Sequence, residues 1–504
     1  KSRRDASQRA HEIVIMAKRL SRTAAIRSDL SGNWQLYLLL FLLTATFAMG
    51  GGSRGDITSL VLLRPIAAIC FGLGLLGLKV EQIRHYRIPF GFLAAITGAI
   101  LLHLIPLPPS IWGNLPGREI ALEATRLAGL ESVWRPISLV PYRGWNALYA
   151  MLVPAAAMVL AAQVPHDKQR RVLQFVLFAA LVAVLLGIAQ ASSGFNPALY
   201  LYDVTNLGSP VGLFANRNHF SAFLCIAIPA LSIIASQADH SRRSFVIGLC
   251  AGGAFILLLM ILASGSRGGL VFSLLGLAFA WALWSVRAST TKRRKVGRTW
   301  LAPAIAVAFC VVVAVFLAVI FARAEALERV SANTASEDLR FETWAVVARN
   351  LFQYWPVGSG FGSFVEVFQI HEPASMLNVG YWNHAHNDSL EWLLEGGVPI
   401  AAVLGVAVVA YTRQTAYLWR NRRMIRSGIQ LSLFGAFVIL ILGLWSLLDY
   451  PLRVPSLSSL AAIGAVWMFA PRAMLGERSQ RIGKRGDLSI PEPTRTSEVR
   501  HGFD

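Results

Sequence analysis

Apolar and polar positions alternate along the chain in long blocks. Predominantly apolar runs occupy 34–51, 61–79, 89–106, 145–163, 172–192, 218–236, 245–263, 269–286, 301–321, 397–412, 428–447 and 456–470. Most are close to the roughly 20 residues that a helix needs to cross a hydrocarbon core of about 30 Å. In lipid every backbone N–H and C=O must be satisfied within the segment, so such runs are helices. The pattern predicts an all-α integral membrane fold of about twelve transmembrane helices, with a large part-helical loop between the ninth and tenth.

The polar intervals set an orientation. With the N-terminus in the cytoplasm, the inner segments carry 34 of the 47 Lys and Arg, including six in 287–299. Basic residues favour the cytoplasmic side in short loops, so both termini are expected inside. Two outer segments are long: 107–144, rich in Pro and Trp, and 322–396, acidic and aromatic. The expected organisation is a basic cytoplasmic arm (1–33), a membrane domain (34–471, chemical motifs within 200–400) and a disordered cytoplasmic tail (472–504). No cleavable signal is expected from the basic polar arm. The chain starts at Lys1 without Met, so its numbering is expected to begin inside a longer product. No internal repeat or inverted symmetry is visible.

Composition agrees. Of 504 residues, 55% are hydrophobic and 15% charged, against about a quarter charged in soluble domains. The net charge of +20 reads as topology and lipid contact rather than a nucleic-acid partner. Cys70, Cys225, Cys250 and Cys310 all lie in apolar runs and form no CxxC pair. No Walker, Rossmann, GxSxG or HExxH pattern stands in a suitable context, which excludes an ATP-driven pump and a globular nucleotide-sugar transferase.

Three polar clusters fall on the outer side. In "GLFANRNHFSAFL" (212–224), Asn216, Arg217, Asn218 and His219 stand where the sixth span begins. Arg217 is either an anion ligand helped by the amides or an interfacial Arg reaching for water. In "SGSRGGLV" (264–271), a tight turn holds Arg267 at the rim. Ser266 and free N–H groups at the next helix start are able to face an anion; the plain alternative is a glycine-rich hairpin. Two arginine turns at one depth favour a diphosphate clamp, since guanidinium matches phosphate oxygens bidentately. In "NHAHNDSLEWLLEGGVP" (383–399), Asp388 and Glu391 read as an N-cap with its capping-box partner, and Gly396 as the helix end. His386 then precedes the helix and is free to act as a base, or is a surface or capping residue. His384 and His386 alone do not make a metal site.

Together these segments resemble the bacterial O-antigen ligase and polysaccharide polymerase family. "FANRNHFSAFL", "SGSRGGL", "SEDLRFETWAVVARNLFQYWPVGSGFGSF" and "HAHNDSLEWLLEGGVP" occur in the family's order. "SLLDYPLRVPS" and "LIPLPPSIWGNLPGRE" look like its exopolysaccharide branch. One departure is Ile400, where the family pattern has Gly, Thr or Tyr. The resemblance implies transfer of a glycan from undecaprenyl diphosphate to an acceptor in the periplasm, at the inner membrane, without metal or other cofactor and with inversion. It implies donor-diphosphate contacts from Arg217, Arg267 and, more weakly, Arg340. His386 is implied as the base, with Asn216, Asn218, His219, Ser266 and Asn387 in support. Trp344, Tyr354, Trp355, Tyr381 and Trp382 either stack on sugars or simply pack.

The preferred expectation is a polymerase acting on exopolysaccharide or O-antigen repeat units. The alternative is an O-antigen ligase with a lipid A core acceptor, or transfer to protein Ser or Thr. A lipid-linked glycan flippase or transporter comes behind both, because only Arg64 lies within a span. Expected partners are the undecaprenyl-diphosphate-linked glycan, membrane lipids and a chain-length regulator, and no nucleic acid.

Overall fold

The computed structural model describes residues 32–239, 241–288, 335–377, 380–422 and 428–470, with backbone alone at 286–288 and 335–340. The long helices are α1 (Gly32–Met49), α2 (Leu60–Gly77), α3 (Arg87–His103), α4 (Pro141–Gln163, interrupted at Met151), α5 (Gln169–Ser192), α6 (Arg217–Ser236), α7 (Arg243–Ala263) and α8 (Arg267–Ala288). They continue with α9 (Ala335–Tyr354), α10 (Phe364–His371), α11 (Asp388–Asn421), α12 (Ile429–Trp445) and α13 (Pro455–Met468). Among the described residues, eight helices are long and apolar enough to cross a membrane, and α3, α12 and α13 are shorter apolar helices. The expected run at 301–321, with Cys310, lies outside the described residues, as do the basic arm to residue 31 and the tail from 471. The protein is an all-α integral membrane protein.

The centre of the bundle is α6. Its residues are apolar on nearly every face (Phe220, Phe223, Leu224, Ile226, Ile228), so it must be enclosed on all sides, and each of these is at most 1% exposed. It packs against α5, α7, α8 and α12. Glycines set the approach of α8: a Cβ at Gly269 would lie 2.7 Å from Ser221 Cβ, and one at Gly276 would lie 3.1 Å from the Cys225 carbonyl. Small residues permit such approach where burial drives no packing between helices. Gly435 does the same for α12 against α13, where a Cβ would meet the Gly464 carbonyl at 2.4 Å.

One buried side chain gathers the 107–144 segment. Arg118 is fully buried and donates to the carbonyls of Pro116, Ile137 and Gly358. Burial draws its pKa down to about 10, so it remains charged at neutral pH. Its guanidinium also lies 5.9 Å from the rings of Trp112 and Tyr354, which ties this segment to the loop before α10.

The most consequential irregularity is in α11. The sequence predicts a short helix ended by Gly396 and a separate span over 397–412. The structure agrees: Asp388–Asn421 is two helical stretches meeting at a kink at Gly397 (φ 55°, ψ −144°). Such a backbone is open essentially to glycine alone. Broken helices leave carbonyls and amides unpaired, and here "PVGSGFGS" (356–363) takes them up. Ser359 N donates to Leu394 O (3.0 Å), Gly360 N to Glu395 O (2.8 Å), and Val398 N to Pro356 O (2.8 Å). The loop comes so close that a Cβ at Gly358 would sit 2.5 Å from Glu395 O.

Candidate active site

The site forms where the start of α6, the α7–α8 turn, the start of α11 and the α12–α13 connection meet. Gln190 of α5, fully buried, accepts from Val211 N and Gly212 N at 2.9 Å each and so fixes the loop that leads into α6. Asn216 caps α6, its side chain accepting from Asn218 N at 2.7 Å. Arg217 N donates to Asn206 Oδ1 at 3.0 Å.

Asn218 bridges two segments. Its Nδ2 donates to Asp449 Oδ2 at 2.7 Å, and its Oδ1 accepts from Ser266 Oγ at 2.8 Å. Ser266 Oγ also accepts from Gly269 N at 3.1 Å, which closes the turn that presents Arg267. Gly265 in that turn has φ +67°, and a Cβ there would stand 3.3 Å from Arg217 Nη1. The half-buried Arg217 guanidinium therefore lies against the turn that carries the exposed Arg267.

His386 stands ahead of α11 with φ +51°, a conformation rare for a side chain other than glycine. Its neighbours hold it there. Ala385 N donates to Glu391 Oε2 (2.7 Å), Ala385 O accepts from Trp344 Nε1 (2.9 Å), and Asn387 caps the helix by accepting from Leu390 N (3.0 Å). His386 Nδ1 lies 3.3 Å from Asp449 Oδ1, within ion-pair range but not aligned as a hydrogen bond. The Tyr450 ring packs against three imidazoles: His384 at 4.5 Å, His386 at 4.9 Å and His219 at 5.1 Å between centroids. His219 is 1% exposed, neither ring nitrogen has a hydrogen-bond partner, and its Nε2 is 3.9 Å from Asp449 Oδ1.

The expected capping box is corrected. Asn387, not Asp388, is the N-cap. Asp388 and Glu391 form, with Glu395, a buried carboxylate face at one-turn spacing. Arg453 of "LLDYPLRVP" answers all three: Nε to Asp388 Oδ1 at 3.2 Å, and Nη2 to Glu391 Oε1 at 3.0 Å and Glu395 Oε2 at 3.2 Å. Burial works against its charge, but Glu391, Glu395 and Asp388 outweigh that and hold its pKa above the ordinary value. Glu391 also takes His384 Nδ1 at 2.9 Å. Burial nevertheless depresses the His384 pKa, with Glu391 pulling the other way.

Of the residues expected at the site, Asn216, Asn218, Ser266, His219, His386 and Asn387 gather here with Arg217 and the turn of Arg267. Arg340 has its backbone in α9, and its side chain lies outside the described residues. Trp344 and Tyr354 serve the fold: Trp344 anchors Ala385, while Tyr354 is 2% exposed and pairs with His371 Nε2 at 3.0 Å. Tyr381 is exposed and accepts from Arg54 Nη2 at 2.7 Å. Sequence reasoning missed Asp449, Arg453, Glu395 and Gln190. "LLDYPLRVP" was noticed as a string, but nothing in it says which carboxylates Arg453 meets.

Residues 252–405 match the family model described as O-antigen ligase. That stretch of the chain is similar to the O-antigen ligase family. No curated protein matches it. The O-antigen ligase match takes in Arg267, His386 and the carboxylate face. Asn218 and Asp449 lie outside it and are tied to it by the contacts above. O-antigen ligase family members are multi-pass membrane enzymes that act on lipid-linked glycans as ligases or polymerases.

Proposed function

We propose that this chain is a polymerase of the bacterial inner membrane, with both termini cytoplasmic. It extends exopolysaccharide or O-antigen chains from undecaprenyl-diphosphate-linked repeat units at the periplasmic face. One chain of contacts carries the reading: His386 to Asp449, Asp449 to Asn218, Asn218 to Ser266. It joins the base to both arginine turns. The polymerase choice within the family rests on the resemblance of "IPLPPSIWGNLPGRE" and "LLDYPLRVP" to its exopolysaccharide branch.

The chemistry follows from the groups. With Nδ1–H turned to Asp449, the His386 Nε2 lone pair accepts the acceptor hydroxyl proton. The oxygen attacks the anomeric carbon as the bond to the diphosphate oxygen breaks, and the diphosphate leaves with the electron pair. Attack opposite the leaving group inverts the centre. Arg217 and Arg267, with Arg340 in support, neutralise the charge that develops on the diphosphate, and no metal is required. Asp449 stabilises the imidazolium.

Deletion of the gene in its native host, complemented with wild type or His386→Ala, tests this. Single repeats accumulating on undecaprenyl diphosphate without long chains support polymerase. Long chains stranded on the lipid beside bare lipid A core identify a ligase instead. Normal product from His386→Ala removes the proposed base.

A further inference from the structure

A cavity of about 530 Å³ is lined at one end by His384, Glu391, Glu395 and Arg453, and runs down between α2, α3, α4 and α13. Its polarity is graded. Near that end it meets Arg54, Asp56, Arg64 in the second turn of α2, Arg143 in the first turn of α4, and Tyr381. Further along, the lining is apolar: Phe92, Leu93 and Ile96 of α3, Met158 of α4, and Ala462 and Ala465 of α13. Met158 is seventeen residues into α4, roughly 25 Å along the axis at a helical rise of 1.5 Å per residue. The cavity therefore spans most of a hydrocarbon core about 30 Å thick.

The charges at its mouth are not equivalent. Arg54 is held bidentately by Asp56, Arg143 by Glu366, and Arg453 by three carboxylates. Arg64 donates Nη2 to Asn146 Oδ1 at 2.6 Å, its Nε has no hydrogen-bond partner, and it meets no acid among the described residues. A guanidinium set inside an apolar helix and facing a cavity calls for an anion. A phosphate with a long apolar chain satisfies both ends of this space.

We propose that the cavity binds a second membrane amphiphile, the lipid-linked acceptor, with its chain along α3 and α4, its phosphate on Arg64 and its glycan toward Tyr381 and His384. This rests on the transferase reading above, in which Arg217 and Arg267 hold the donor. It gives the polymerase two lipid sites that share one aromatic neighbour, since His384 at the cavity and His386 at Asp449 both pack on Tyr450. A bilayer phospholipid offers the same chemistry, so the experiment separates the two.

The test is native mass spectrometry of the purified full chain with undecaprenyl diphosphate or phosphatidylglycerol as probe. Ala150→Trp blocks the cavity from an exposed lining position, and Arg64→Gln removes its cation. Wild type is expected to take up two undecaprenyl diphosphates. Each variant is expected to weaken one of them by about ten-fold or more, as the loss of a charged hydrogen bond implies, and to leave the other. Arg267→Ala is expected to spare the cavity-bound one. Two unchanged uptakes in both variants overturn the proposal. So does displacement of the cavity-bound lipid by equimolar phosphatidylglycerol, which marks a bilayer-lipid site. Two lipids bound as expected, with no glycan transfer by wild-type membranes, defeats the transferase reading and its acceptor assignment while leaving the two-lipid cavity in place.

Discussion

Asp449→Asn isolates what the carboxylate does for His386. The amide keeps the shape and still offers an oxygen to Asn218 Nδ2, but it turns an N–H toward Tyr450 N and His386 Nδ1, so the mutation removes the charge and the acceptor at Oδ1. Asp449 is 1% exposed and its Oδ1 lies 3.3 Å from His386 Nδ1. Two unit charges at that distance interact by about 5 kcal/mol at an effective dielectric constant near 20, and about 1.3 kcal/mol in water. In the proposed reaction the imidazolium forms as the acceptor proton moves, so this energy is expected to be lost from the transition state and not from substrate binding. At ten-fold per 1.36 kcal/mol, the turnover rate falls between about ten-fold and a few thousand-fold. Burial puts the expectation in the upper part of that range. The assay is single-turnover glycan transfer in membranes with matched protein levels, for Asp449→Asn, His386→Ala and the double variant. If Asp449 acts through His386, the double variant is no slower than His386→Ala alone. A loss under about three-fold in Asp449→Asn, or losses that multiply in the double variant, refutes the reasoning.

Other consequences follow from the same geometry. Arg453→Met strands three buried carboxylates and is expected to cost about 3–5 kcal/mol. It should lower the melting temperature in detergent sharply, with Arg453→Lys in between, and unchanged melting would contradict the network. Gly397→Ala forces a Cβ to 2.3 Å from the Pro356 carbonyl at φ 55°. It should destabilise by roughly 1–3 kcal/mol or more, read as earlier thermal aggregation. His384 has its pKa depressed below 6.5. Above that pH both folded and unfolded forms are neutral; below it the unfolded chain takes the proton first, so stability falls as pH drops through 6.5. Melting followed from about pH 7.5 to about 5.5 should decline in wild type and decline less in His384→Gln.

The membrane helices were legible because lipid imposes one solution on an apolar run. The runs at 218–236 and 245–263 differ from α6 and α7 by only a residue or two. The tight glycine turn that presents Arg267 was legible for a related reason, since its glycines act on near neighbours; the capping of α6 by Asn216 and the bond from Ser266 to Asn218 were not. The start of α11 was not. Asp388 and Glu391 at i and i+3 fit a capping box and a buried carboxylate face equally well. The choice belongs to Arg453, 65 residues beyond Asp388. The break at Gly397 was legible to within a residue, but the groups that relieve it were hidden, since they come from Pro356, Ser359 and Gly360. Asp449 stood in a noticed string, but its role exists only where Asn218 and His386 converge on it.

His386 carries one more implication, for how such a protein is stabilised. Its positive φ is easy for glycine, tolerable for asparagine and uncomfortable for an imidazole. Replacement by Gly or Asn relieves that discomfort without touching the bonds of Ala385 and Asn387 that shape the loop. If His386 is the base proposed above, a library screened for heat tolerance alone should drift toward inactive variants at this position. Robustness and the proposed glycan transfer would then pull in opposite directions at a single residue, and the backbone angle says which one.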